Sequence, residues 1–168
     1  DLQEALRDPI ERGELELVPK TDSVVIRIQE QASFPSGSAT LTGGFGVVMD
    51  EIAKALAKTD DQIIVTGHTD DIPIRSGVFR SNWDLSAARA VTVLHELEER
   101  ANVSSDRLEA RGLADTQPIA PNDTAENRSL NRRVEISVVP PLGEEERSAL
   151  ELLDASEDVT ISRDAASQ

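Results

Sequence analysis

The chain predicts an α/β fold: a two-layer sandwich ordered β-α-β-α-β(α)β, with helices packed on one face of a mixed sheet. Three observations carry this. Short apolar stretches alternate with amphipathic ones along the 168 residues. Pro, Gly, Ser, Asn and Asp punctuate the joins between them. The scarcity of aromatics, with Trp83, Phe34, Phe45 and Phe79 and no Tyr, leaves a core of Leu, Ile, Val and Ala. Crossover helices favour parallel neighbours, and an antiparallel pair stays open.

Each element follows in order. Residues 1–22 read as an acidic lead-in, interrupted at Pro9 and Gly13, with Leu15 to Val18 as a short strand. Val24, Ile26 and Ile28 alternate with Val25, Arg27 and Gln29, a half-buried strand. Phe34-Pro35-Ser36-Gly37-Ser38 is a loop. Thr42 is expected to cap a helix from Gly43 to Lys58, with Phe45, Val48, Met49, Ile52 and Leu56 as its apolar stripe. Ile63 to Thr66 form a strand. A long polar loop follows, and Asn82 or Asp84 caps a second helix to about Arg100, with Ala87, Val91, Leu94 and Ala101 as its stripe, broadened by Ala90 and Leu97. Arg107 to Gly112 make a third strand. Asp123 and Glu126 form a capping box for a short helix to Asn131. Val134 to Val138 make a fourth strand. Residues 23–139 therefore form one domain. Residues 140–168 carry eight Asp or Glu against two Arg and read as a loosely attached acidic tail with a brief helix.

Composition excludes some functions. A net charge of −15 disfavours a nucleic-acid partner. The absence of Cys removes disulfides and thiolate chemistry. No apolar run approaches the length of a membrane span. The start at Asp1 reads as a fragment or processed product, with any anchor further upstream.

The stretch with most chemistry is His68-Thr69-Asp70-Asp71, followed by a loop and then Asn82 to Ala90. His68 lacks the companion ligands of a zinc site, and His95 stands alone in a helix. Asp70 and Asp71 are adjacent on extended chain and point apart, so they make a poor catalytic pair for a hydrolase. Arg89 lies three residues after Ser86 among small residues, where its guanidinium is expected to be reachable. An Arg beside a helix start suits a carboxylate, and Asp70 suits an ammonium. An amino acid fits between them. Asn127, Arg128, Asn131, Arg132 and Arg133 form the most basic patch of the chain. It reads as a helix end or as a polar ligand surface.

Thr69-Asp70, Asn82, Leu85-Ser86 and Arg89-Ala90, then Gly112, Pro118 and Asn131-Arg132-Arg133-Val134-Glu135-Ile136, resemble the OmpA-like peptidoglycan-binding domain. The long loop from Ile72 to Ser81, with Phe34 to Ser38, is similar to the flagellar stator B branch (MotB, and by its acidity the sodium-driven PomB). The resemblance implies a non-enzymatic wall anchor without a cofactor: the periplasmic domain of a single-pass inner-membrane protein. Implied partners are peptidoglycan, through the diaminopimelate of its stem peptide, a second copy in a homodimer, and a stator A channel subunit. Asp70 and Arg89 would hold the amino and carboxylate groups. Thr69, Asn82, Leu85 and Ser86 would shape the cleft, with Asn131, Arg132 and Arg133 in support. The alternative is an outer-membrane or lipoprotein wall tether with no motor.

Overall fold

Alternation sets the sheet. In the computed structural model, which describes residues 1–165 and side-chain surroundings through residue 155, five strands run in the order β1-β2-β5-β3-β4. They are β1 Glu16–Pro19, β2 Val24–Gln29, β3 Gln62–His68, β4 Leu108–Gly112 and β5 Arg133–Val139. Only β3 and β4 are parallel; the other neighbours are antiparallel. The sheet is mixed, because β5 returns from the short helix to lie between β2 and β3.

The register aligns one apolar row across all five strands: Leu17, Ile26, Ile136, Val65 and Ala110. Helices α4 (Gly46–Ala57) and α5 (Asn82–Ala101) cover that face, and Ile26, Met49, Ile52, Leu56, Val65 and Ile136 are fully buried between the layers. Each such side chain contributes about 1.5–3 kcal/mol by leaving water. The next row is Ile28, Val134, Gly67 and Gly112. A Cβ on Gly67 would lie 2.1 Å from the Ser86 carbonyl oxygen, and one on Gly112 2.5 Å from the Ala87 nitrogen. These glycines let the first turns of α5 rest directly on the sheet.

Local chemistry moves several boundaries. Gly43–Phe45 form a 3₁₀ turn before α4, and the Thr42 hydroxyl donates to the Ala32 carbonyl instead of capping the helix. Gly43, Gly44 and Gly46 weaken an α-helical first turn. Ser81 precedes α5, while Asp84 accepts from Arg80, so neither Asn82 nor Asp84 is the cap residue. The buried face of α5 is Leu85, Ser86, Arg89, Ala90, Val93 and Leu97, and Val91 is exposed. Ala90 and Leu97 are buried as expected, but the stripe is otherwise rotated from Ala87, Val91, Leu94 and Ala101, because a charged residue, Arg89, occupies its centre. Asn102 in the left-handed region closes α5. Thr124, one residue later than expected, caps α6 (Ala125–Asn131) by accepting from the Asn127 N–H.

The first 22 residues supply β1 and two helical turns, α1 (Leu2–Ala5) and α2 (Arg7–Glu11); Leu6 and Leu15 are buried in the core. After Pro140 and Pro141 the chain forms α7 (Glu144–Ala165), where the sequence suggested a loose tail with a brief helix. Three Glu in its first turn favour the helix dipole. Its residues 144–155 are exposed. The part of the tail beyond residue 165 lies outside the described residues.

Candidate functional site

Three chain segments meet at one end of the sheet. β3 delivers Thr69 and Asp70, the residue before β5 is Arg132, and β2 runs into α3 (Glu30–Ser33). The Glu30 N–H donates to the Arg132 carbonyl at 2.9 Å, which fixes the second and third together. Helix α5 crosses above and adds Asn82, Leu85 and Arg89. Between them lies a cleft of about 380 Å³, floored by these residues and walled by Ser36, Gly37 and Ile72 to Ile74.

Asp70 is buried, with a hydrogen bond to each carboxylate oxygen. Its Oδ1 accepts from the Ile72 N–H at 3.1 Å, turning the chain into the loop, and its Oδ2 accepts from Arg132 Nη1 at 2.8 Å. Asn82 clasps the same turn by donating to the Ile72 carbonyl at 3.0 Å. The Thr69 N–H donates to the Ala114 carbonyl at 2.8 Å. Ala114 is held at φ +50, a costly conformation for a residue with a Cβ, and its own N–H donates to the Ser86 hydroxyl. Ser86 is therefore a clamp beneath the site, outside the cleft lining.

Arg89 is only 2% exposed, contrary to the expectation of an accessible guanidinium. Its Nε donates to the Ser38 carbonyl at 2.8 Å, Nη1 to Glu30 Oε2 at 2.6 Å and Nη2 to the Pro35 carbonyl at 3.3 Å. The Phe34 ring lies 5.0 Å from the guanidinium carbon, within cation–π range. The turn from Pro35 to Ser38 passes through Gly37 at φ +69, and its carbonyls converge on Arg89.

Glu30 joins both cations. Besides Arg89, it accepts from Arg132 Nε at 3.1 Å through Oε1. Arg132 is 28% exposed. Burial opposes its charge, but hydrogen bonds to Asp70 and Glu30 and their negative charges prevail and raise its pKa above the ordinary value. The sequence reasoning missed Glu30. By alternation it continues the inward row of Val24, Ile26 and Ile28, so a charge there signals a buried partner.

Of the expected site residues, Thr69, Asp70, Asn82, Leu85, Arg89 and Arg132 line one cleft; Ser86, Asn131 and Arg133 do not. Asn131 is fully buried and holds the loop before α6: it accepts from the Ile119 and Ala120 N–H groups and donates to the Ala120 carbonyl and Asn122 Oδ1. Arg133 points to the other face of the sheet, where it donates to Glu135 at 2.5 Å and to the Gln117 carbonyl at 3.0 Å. His68 is buried on that face, with Nε2 3.8 Å from Glu135. Burial, then the charge of Arg133, lowers its pKa to about 4; Glu135 opposes and Arg27 adds to the drop. Asp71 is exposed on the loop, away from the buried Asp70.

A larger cavity, about 900 Å³, lies at the opposite end of the sheet among Leu2, Val24, Leu56, Val138, Pro140 and Leu142. It lacks the convergent, buried charges of the smaller cleft, which make that cleft the candidate site.

A profile described as OmpA family matches residues 33–132. The chain is 34% identical over 140 residues to Motility protein B of Bacillus subtilis (strain 168), covering 83% of this chain and 54% of that protein. It thus spans about half the length of that relative. Among solved structures, the cell wall anchor of the T6SS from Pseudomonas aeruginosa is similar with a TM-score of 0.79 and 38% identity, over 84% of this chain and 98% of that one. The periplasmic domain of Helicobacter pylori MotB is similar with a TM-score of 0.72 and 28% identity, again over 84% and 98%.

Proposed function

The chain belongs to the OmpA family, and from that premise we propose that its charged cleft binds peptidoglycan and anchors a flagellar stator to the cell wall. The ligand is the diaminopimelate of a stem peptide. Its ammonium group goes to Asp70 and its carboxylate to Arg89; Thr69, Asn82 and Leu85 shape the space between them. The observation that carries this reading is the convergence of two acids and two guanidiniums in one cleft able to admit a small zwitterion. The similarity to Motility protein B and to a MotB periplasmic domain supports the motor role. On this reading the domain works in the periplasm as a non-enzymatic homodimer. It is carried by a membrane segment that meets a stator A channel subunit, and its long loop and acidity favour the sodium-driven PomB branch.

Co-sedimentation with purified sacculi tests the site. Asp70→Ala removes a charged hydrogen bond and is expected to weaken binding by about 10- to 150-fold, with circular dichroism unchanged. Arg89→Ala is expected to abolish sedimentation, and its melting temperature is expected to fall because Arg89 also ties α5 to the Pro35–Ser38 turn. Wild-type-like sedimentation of folded Asp70→Ala would refute the site.

A second reading, a wall anchor with no motor, is favoured by the higher identity to the Pseudomonas cell wall anchor, 38% against 28% for the Helicobacter MotB domain. Grafting residues 1–168 in place of the matching part of a motile strain's stator B subunit separates the two. Restored swimming supports the motor role, and wall binding without swimming supports the plain anchor.

A further inference from the structure

The three ion pairs of the cleft form one line of alternating charge: Arg89, Glu30, Arg132, Asp70. Its two ends are the groups to which the proposed function gives the ligand's charges, and both are occupied. Arg89 has every nitrogen donating within the protein. Asp70 accepts from Arg132 and from the Ile72 N–H. The two middle members hold each other, Arg132 Nε to Glu30 Oε1 at 3.1 Å.

We infer that Glu30 and Arg132 are specificity-determining residues that make the cleft select a zwitterion. The inference rests on the peptidoglycan reading. A ligand carboxylate reaches Arg89 by displacing Glu30, and a ligand ammonium reaches Asp70 by displacing Arg132. When both arrive together, the displaced pair is already bonded to itself. Six charges then form three complete pairs: ammonium with Asp70, Glu30 with Arg132, carboxylate with Arg89. A lone carboxylate leaves Arg132 shared by two acids, with one negative charge in excess. A lone ammonium leaves Glu30 shared by two guanidiniums, with one positive charge in excess. Glu30 and Asp70 are buried, so the unbalanced charge meets little water and its cost is high. The resting line thus rejects simple anions and simple amines.

Titration calorimetry with three probes of related carbon skeleton tests this: meso-diaminopimelate, heptanedioate, which lacks the amines, and 1,5-diaminopentane, which lacks the carboxylates. The wild type is expected to prefer diaminopimelate over either by more than about 100-fold. Glu30→Gln leaves the cleft one positive charge richer. It is expected to narrow the preference over heptanedioate by about 10-fold or more and to leave the rejection of the diamine in place. Arg132→Gln is expected to do the converse, and it carries the test alone if Glu30→Gln does not fold. Folded variants that lose all three probes in proportion would overturn the inference, because Glu30 and Arg132 would then only hold the scaffold. A wild type that sediments with sacculi yet binds heptanedioate as tightly as diaminopimelate overturns the inference alone. A wild type that neither sediments nor takes any probe overturns the peptidoglycan reading as well.

Discussion

Acid should destabilise this domain through His68 in a window set by its burial. The imidazole lies among Arg133, Glu135 and Arg27, and its Nδ1 has no hydrogen-bond partner among the described residues. Its folded pKa is about 4, against an ordinary 6.5. The unfolded chain therefore binds the proton first. The stabilising difference is fully present above pH 6.5, fades as pH falls, and is gone below about pH 4. A tenfold difference in proton affinity between the folded and unfolded chain is worth about 1.4 kcal/mol, so lowering the pH from about 8 to about 4.5 should remove about 2–3 kcal/mol through this group. Carboxylates titrate in part of the same range, so the useful quantity is the difference between wild type and His68→Gln. Urea denaturation of both proteins at a series of pH values measures it. The wild type should lose about 2–3 kcal/mol more than the variant over that range, mostly between about pH 6.5 and 4.5. Parallel pH dependences for the two would refute the claim that His68 is buried neutral between the arginines.

Two further substitutions probe what holds the site in place. Gly67→Ala sets a methyl group 2.1 Å from the Ser86 carbonyl, where only a backbone shift can relieve it; a loss of about 3 kcal/mol in denaturant stability is expected, at the upper end for overpacking, together with weaker sacculus binding as α5 moves. Asn131→Ala strands the Ile119 and Ala120 N–H groups; a loss of about 3 kcal/mol is expected by thermal or urea unfolding, with sacculus binding kept at temperatures where the variant is folded.

The strands were legible because apolar residues recur at every second position from Val24 to Ile28 and from Val134 to Val138, although Val25 is also buried on the other face of β2. The candidate site was half legible. Asp70 and Arg89 stand out as an acid after a strand and a base in a helix, and the structure brings them to one cleft. The sequence reading placed Arg89 outward because charge ordinarily marks the solvent face. That assumption shifted the apolar stripe of α5 toward Val91 and hid the partner Arg89 needs. Glu30 and Arg89 are each a charge at an inward position, and they explain one another; neither is interpretable alone. Arg132 and Arg133 show a related limit. They are neighbours of the same kind, yet strand geometry sends one to the cleft and the other to the opposite face. Asn131 carries no pattern that separates a ligand contact from a loop clamp until its four hydrogen bonds are seen.

The cleft and residue Asp1 lie at opposite ends of the sheet: Asp70 and Arg132 flank one end, while Asp1 and Leu2 border the cavity beside Val24 and Val138 at the other. The six residues of β2 separate these ends by about 20 Å. A pull applied at Asp1 against a ligand held in the cleft would run nearly parallel to the strands. The ladder hydrogen bonds lie across that direction. The chain from Asp1 reaches β2 only through α1, α2 and the edge strand β1, so tension first loads the burial of Leu6 and Leu15 and the β1–β2 ladder, and the β2, β5 and β3 ladders, which lie across the pull, take it in shear after that. The order β2-β5-β3 thus sets the three central strands along the line from Asp1 to the cleft.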